Sequence, residues 1–292
     1  MKERQSRTGW LFASPYLIFT IVFFLFPLLW ALYLSFTNWN LIAPTYNFIG
    51  FDNFINAVFN PGVQAAFLVT YKFMILFVPI VVVGSLCLAV ILYSLPKFKA
   101  VFSVGYFMPY LASGVATAII VNGILSYNSA FNIWLRETFG LNINWLGSPF
   151  LAPLIISLMI AWKMVGYYAL LFLAGLESIP KEVFEAAKID GAVGFKRLWH
   201  VTLPMLYPAF YTVVILAVGL VFGIFTEPYV LTSGGPSLAT NTWQLEIFKQ
   251  AFERLNAGFG TSIAIIDSIV TFATILVFRW GLEKWGEKHG WE

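Results

Sequence analysis

The stretch Glu185 to Pro204, EAAKIDGAVGFKRLWHVTLP, places a carboxylate beside two alanines and, four residues after the second, a glycine. Ala186 and Ala187 leave almost no bulk next to Glu185, so the surface of another protein can come close to the backbone while the carboxylate meets a cation. A second reading of the same residues is an interfacial helix pair, with Lys181, Lys188, Lys196 and Arg197 resting on anionic lipid headgroups. The residues of the stretch leave both readings open. Reactive chemistry has few carriers elsewhere. His200 and His289 are the two histidines and Cys87 the one cysteine, so neither an internal disulfide nor a Cys/His metal cluster can be drawn. A G-x-x-x-x-G-K-[ST] phosphate loop does not occur.

The elements around that stretch are apolar. Of the 292 residues 60% are hydrophobic and 11% charged, with 30 Phe, which is far from the balance of a soluble domain. Roughly 20 apolar residues cross ~30 Å of hydrocarbon as a helix. Six such runs are expected to span: Trp10 to Phe36, Ala65 to Tyr93, Ala100 to Leu125, Phe150 to Leu176, Met205 to Thr232 and Thr261 to Phe278. Backbone polar groups in lipid must bond within their own segment, and the short alternating segments of a barrel are absent, so the fold class is all-α, a polytopic membrane protein with six transmembrane helices. The first run follows Lys2, Arg4 and Arg7 but lacks a persuasive cleavage site, and is expected to be the first span rather than a removed leader.

Orientation follows from the basic residues between spans. Lys2, Arg4, Arg7, Lys97, Lys99, Lys181, Lys188, Lys196, Arg197, Arg279, Lys284 and Lys288 fall on one side, and Arg136, Lys249 and Arg254 on the other. Both termini and the Glu185 loop are therefore expected to be cytoplasmic. This bias accounts for the net charge of +3 and removes the need for a nucleic-acid partner. The chain reads as one membrane domain, residues 1–292, with a cytoplasmic loop at 178–204 and extracytoplasmic segments at 37–64, 126–148 and 233–260.

Within the loop, Ser178 is expected to cap a helix whose first turn holds Pro180, with Glu182 and Glu185 near its positive start. That helix should end near Asp190, where Gly191 can take positive φ, and a second short helix should run from Val193 to about His200 before Leu203 and Pro204 enter the fifth span. In the last outer segment, Trp243, Ile247, Phe248, Ala251, Phe252 and Leu255 recur at helical spacing opposite Glu246, Lys249, Glu253 and Arg254, which predicts an amphipathic helix. Lys72, Lys163, Glu227 and Asp267 are the ionisable residues inside or at the ends of spans and hence the candidates for a solute path, each with a structural pairing as the alternative. Gly219 and Gly223 have the G-x-x-x-G spacing of close helix packing.

The pattern Glu185-Ala186-Ala187, three residues, Gly191, nine residues, Val201, one residue, Leu203-Pro204 resembles the cytoplasmic loop of permease subunits from binding-protein-dependent ABC importers. Val201 stands where isoleucine is usual. SFTNWN at Ser35 to Asn40, FIGFDNF at Phe48 to Phe54, GYYALLFLAGLESIP from Gly166 and LTSGGPSLAT at Leu231 to Thr240 are similar to the carbohydrate branch, the maltose-type and glycerol-3-phosphate-type permeases, and LTSGGP to the half bearing the sugar site. The resemblance implies a type I ABC importer permease fold in a bacterial or archaeal cytoplasmic (inner) membrane. It implies a second homologous permease subunit, two ABC ATPase subunits and an extracytoplasmic solute-binding protein as partners, with a di- or oligosaccharide or related solute. ATP and Mg would be bound by the ATPase, no cofactor by this chain, and Glu185, Ala186, Ala187, Gly191, Leu203 and Pro204 would do the coupling. Trp162 and Val165, before Gly166 and Tyr167, fall where maltose-type permeases line the sugar pocket, with different identities. Aromatic faces suit sugar rings. The candidate solute contacts are thus Trp162, Lys163, Val165, Tyr167, Phe225, Glu227 and Tyr229.

Two other classes fit less well. An ion-coupled secondary transporter would show carboxylates or broken helices in symmetry-related spans, and no inverted repeat is visible. A membrane-embedded enzyme would need a catalytic cluster at the membrane surface, which two histidines and no acidic pair in the apolar spans do not supply.

Overall fold

The computed structural model describes residues 2–291, with side chains from Gly9 to Trp291. The charges of Lys2, Arg4 and Arg7 counted for orientation lie outside the described side chains. Helices α1 to α15 carry the chain. Two compact units divide it, Met1–Val63 with Glu246–Ser268, and Gln64–Leu245 with Ile269–Glu292.

In the first unit, the span Gly9–Leu34 runs through α1 (Lys2–Thr20), a π-helical turn (Ile21–Leu25) and α2 (Phe26–Leu34). Pro27 sits just after the turn. It has no N–H to bond back, and the helical ladder loosens beside it. Only 6% of the span's apolar window is buried, so the helix presents side chains outward on nearly every side. Beyond it, the segments SFTNWN and FIGFDNF form one hydrogen-bonded piece. Asn53, buried at the start of α3 (Asp52–Phe59), donates from Nδ2 to the carbonyls of Ser35 at 2.9 Å and Thr37 at 2.8 Å, and Thr37 pairs with Phe48 across an isolated β-bridge. Gly258 N donates to Trp39 O at 2.9 Å, and a Cβ on Gly258 would stand 2.1 Å from the Thr37 carbonyl oxygen.

The expected amphipathic helix is interrupted. α14 (Trp243–Phe248) passes into a π-helical turn (Lys249–Glu253), whose extra residue rotates the face. Ahead of the turn Glu246 is buried rather than solvated, accepts from Gln250 Nε2 at 2.6 Å and lies where a Cβ on Gly62 would be 2.5 Å away, whereas Phe252 within the turn is exposed.

The spans Pro61–Ser94 (α4), Leu151–Ser178 (α8) and Ala257–His289 (α15) form unbroken helices, the last longer at both ends than expected. The expected third span, Ala100 to Leu125, is not one helix. α5 (Lys99–Leu111) ends two residues after Pro109, Ala112 is extended, and α6 (Gly114–Leu125) begins afresh and continues after a short break into α7 (Ala130–Phe139). Ser113 caps the new start: its Oγ accepts from Ala116 N at 3.5 Å, and Thr117 Oγ1 donates to Ser113 O at 3.0 Å. The expected fifth span, Met205 to Thr232, is also broken. α12 (Tyr207–Phe222) stops at Gly223, and α13 (Thr226–Thr232) follows three residues later. The break's freed carbonyls are taken up by side chains, Gln244 Nε2 donating to Phe222 O at 3.2 Å and Thr242 Oγ1 to Ile224 O at 2.7 Å. Backbone groups in an apolar layer need such partners. Gly223 is thus a helix stop, and a Cβ placed on Gly219 would meet Ile275 only at an ordinary 3.8 Å.

In the second unit α5, α12 and α13 all pack on α8, which is the most extensively buried helix. The approach of α5 is at backbone distance, since a Cβ on Gly166 would lie 1.8 Å from Tyr106 O. Gly166→Ala must therefore part α5 from α8, at a cost of about 1–3 kcal/mol for an overpacked contact. It is expected to lower the thermal midpoint in detergent by several degrees. Gly105→Ala on α5, with nothing within 4 Å of a new Cβ, is expected to leave it unchanged.

Candidate functional site

Two places gather the residues singled out by sequence. The first is the loop after α8. Ser178 is the last residue of α8, not a cap for the next helix, because its hydroxyl donates back to Gly175 O at 2.7 Å. Pro180 takes the cap position and α9 (Lys181–Ile189) follows. Its end is as expected. Gly191 has φ +73°, Ala192 N donates to Ala187 O at 2.8 Å and Gly191 N to Lys188 O at 3.2 Å, the paired bonds that close a helix on a left-handed glycine. The second helix is α10 (Gly194–Arg197), which passes through a π-helical turn (Leu198–Thr202) into α11 (Leu203–Met205).

Glu185 is exposed on α9 and lines a cavity of about 580 Å³ with Tyr93, Lys181, Phe184 and Arg197. The Arg197 guanidinium stands 5.6 Å from the centroid of the Phe184 ring. Ala186 faces outward, while Ala187 is buried in the chain's own packing, so its small side chain serves the loop itself as well as any visitor. Leu203 and Pro204 form the corner into α12, and the helix axis bends by 75° between Gly194–Met205 and Tyr207–Phe222. At that corner Leu206 is fully buried and packs where Gly175 of α8 lacks a side chain, since a Cβ there would lie 2.9 Å from Leu206 Cδ2. Lys99 at the start of α5 pairs with Glu177 at the end of α8. The Leu206 contact thus ties the far corner of the loop to α8, and the Lys99–Glu177 pair ties α5 to the end of α8 from which the loop leaves.

Sequence reasoning missed the apolar tip. Ile189 is 87% exposed, and Val193 and Phe195 are also exposed, flanking Gly191 on a loop otherwise read as polar and basic. The available signal was an isoleucine in the last turn of a helix that needs no further apolar residue for its own packing.

The second place is the middle of α8. Lys163 and Glu227, 64 residues apart, form an ion pair, Nζ to Oε1 at 3.4 Å, with the residues 7% and 9% exposed. Gly114, the first residue of α6, abuts both, a Cβ there lying 3.3 Å from Glu227 Oε1 and 3.5 Å from Lys163 Nζ. The other five expected solute residues point several ways. Tyr167 stacks on Tyr110 of α5, with centroids 4.7 Å apart, and Val165 packs against Gly84 of α4. Phe225 and Tyr229 stack on each other at 5.2 Å. Trp162 is 57% exposed in a shallow hollow of about 290 Å³ with Val121, Leu125 and Leu158. Of the remaining span candidates, Lys72 donates to Pro149 O at 3.0 Å, and Asp267 is buried on α15.

This helical architecture can be compared with known proteins. The family described as binding-protein-dependent transport system inner membrane component matches residues 6–281. The chain belongs to that family. It is a multi-pass membrane permease of an ABC importer, and the family is one of transport components rather than catalytic enzymes. The trehalose/maltose transport system permease MalF of Thermococcus litoralis is 31% identical over 280 residues, spanning 95% of this chain and 93% of that one. The multiple sugar-binding transport system permease MsmF of Streptococcus mutans is 31% identical over 271 residues, 90% of each chain. A chain in the crystal structure of a bacterial alginate ABC transporter, in complex with alginate pentasaccharide-bound periplasmic protein, shares the fold at a TM-score of 0.82 and 19% identity over 95% of each chain.

Within this permease the loop turn gives a direct check. A new Cβ on Gly191 meets nothing within 4 Å, so Gly191→Ala is opposed only by its positive φ, about 1–2 kcal/mol. Hydrogen exchange is expected to quicken across residues 185–192 and stay unchanged in α8 and α12.

Proposed function

We propose that this permease forms half of the translocation pathway for a carbohydrate and couples to an ATPase subunit through the loop 185–204. The exposed apolar tip carries the reading. A carboxylate at Glu185 and an uncovered Ile189 one helical turn later, on a short helix closed by Gly191, are the means by which a polar surface of another protein can be both charge-paired and anchored. The bend at Leu206 joins that loop to α12, and the Gly175 contact joins it to α8, so a partner that turns the loop also turns the two spans bearing Lys163 and Glu227's break. Such a lever is a two-state element biased from a distant ligand site.

The partners in this reading are a second homologous permease subunit, two ABC ATPase subunits and an extracytoplasmic solute-binding protein. ATP and Mg sit in the ATPase subunits. Both termini and the loop face the cytoplasm, as the Lys and Arg distribution favours. A carbohydrate solute is supported by the relatives, one named for trehalose and maltose and one for multiple sugars. The stacked faces of Phe225 and Tyr229, beside the Lys163–Glu227 pair, are of the kind that suits sugar rings, while Trp162, Val165 and Tyr167 of the candidate set lie on other faces of α8.

Extraction of the assembled transporter in mild detergent tests the coupling. Glu185→Lys and Ile189→Asp are each expected to cut the co-purifying ATPase subunit at least ten-fold while the permease still inserts. Full recovery of the ATPase subunit with both variants would overturn the coupling assignment and leave the loop as an interfacial helix pair.

A further inference from the structure

The Lys163–Glu227 pair lies between two helix starts and one continuous helix. α6 begins at Gly114, against both charges, and α13 begins at Thr226, one residue before Glu227 and with its Cγ2 3.2 Å from a Cβ placed on Gly114. Lys163 projects from the middle of α8, which is unbroken. Two charges in an apolar layer are costly, and apolar residues of similar volume would fill the space as stably. What a charge pair supplies and an apolar pair does not is direction: the carboxylate is paired with Lys163, and the three helices around the pair are held in one arrangement. Gly114 eases this approach, because a Cβ there would stand 3.2 Å from Thr226 Cγ2 and 3.3 Å from Glu227 Oε1, tighter than usual contacts. The positive end of α6 also favours the carboxylate at its first residue.

The consequence falls on the aromatic surface. Phe225 and Tyr229 flank Glu227 along the same short stretch and stack on each other, so the position of α13 is the position of that surface. Breaking the pair from either side leaves a buried charge without its partner, and the helix starts must move to find water or another polar group.

We propose that Lys163 and Glu227 are positioning residues for translocation: their ion pair pins the starts of α6 and α13 to the middle of α8 and so sets where the Phe225–Tyr229 surface stands. The inference rests on the importer reading above for its functional meaning, but not for its geometry. In that setting the pair holds the resting arrangement of the broken spans, and loss of a contact made only in one state shifts the population toward the other.

The experiment uses Lys163→Met, Glu227→Gln and the exchanged double variant Lys163→Glu with Glu227→Lys, in the full chain extracted with whatever subunits it retains and placed in lipid nanodiscs. Hydrogen exchange is followed over residues 114–121 and 226–232, which contain the Thr117-to-Ser113 and Tyr229-to-Phe225 amide bonds, both 3.0 Å. Either single variant is expected to speed exchange there at least ten-fold, and the exchanged double to return it to within two-fold of the parent. With the ATPase subunit present and MgATP as the probe, each single variant is expected to raise basal kcat at least three-fold with KM for ATP unchanged, and the double to restore it. A merely structural role would lower yield and kcat without recovery in the double. Single variants that exchange like the parent, or a double that exchanges as fast as the singles, would overturn the proposal. Retention of no ATPase subunit by the parent would overturn the proposed coupling to an ATPase subunit instead, and the exchange result would still decide the pair.

Discussion

The contact between the backbone of α5 and the missing side chain of Gly166 is the constraint on which the second unit depends. An oxygen at 1.8 Å from where a Cβ would stand means that α5 lies on α8 as closely as two helices can. With α5 so placed, Tyr110 is brought over Tyr167, and the chain leaving α5 at Ala112 is delivered to the middle of α8, where Lys163 waits. α8 can serve as this common support because it is unbroken for 28 residues and buried on several faces. Its small residues are distributed for the purpose. Gly166 receives α5, and Gly175 receives Leu206 at the corner of α11 and α12.

Helices that break inside an apolar layer leave carbonyls and amides without partners, and each break here is answered by named side chains. Ser113 and Thr117 serve the start of α6, while Thr242 and Gln244 reach back to the carbonyls at the end of α12. The segment LTSGGPSLATNTWQ is folded tightly enough to deliver those two side chains: Thr240 is buried, its hydroxyl lies 2.6 Å from that of Thr232 and donates to Gly235 O at 2.8 Å. The first unit uses the same economy, with one buried Asn53 amide satisfying two carbonyls where α2 gives way to loop. Motifs that look like recognition signals are in these two cases scaffolding.

The loop between α8 and α12 is packed on a span at one corner and uncovered at its tip. Leu206 packs at Gly175 of α8, the close of α9 is made at Gly191, and the tip is Ile189 with Val193 and Phe195. The axis bends by 75° between Gly194–Met205 and Tyr207–Phe222, so the segment through α10 and α11 meets α12 at a steep angle.

Much of this was legible in the residues themselves. Runs of apolar residues located the spans, and the glycine four residues after Ala187 marked the close of α9, because each of these depends on a few neighbours along the chain. What could not be read was where a span stops being a helix and what faces what. The breaks at Ala112 and Gly223 leave apolar composition unchanged, so hydropathy passes straight over them. Ser178 has the residue type of a cap but spends its hydroxyl on the preceding turn. Glu246 belongs to a polar stripe whose Glu253 and Arg254 are exposed, yet it is itself buried against Gly62 and Gln250. Lys163 and Glu227 were each recognised as unusual in a span, and only packing showed that the two belong to each other. Local sequence fixes the membrane layer, the helix ends marked by glycine and the chemistry of the loop, because those follow from solvation and from dihedral freedom residue by residue. The pairing of charges 64 residues apart and the close approach at Gly166 were decided by the tertiary structure, because they depend on which backbones can come into contact, and no single helix carries that information.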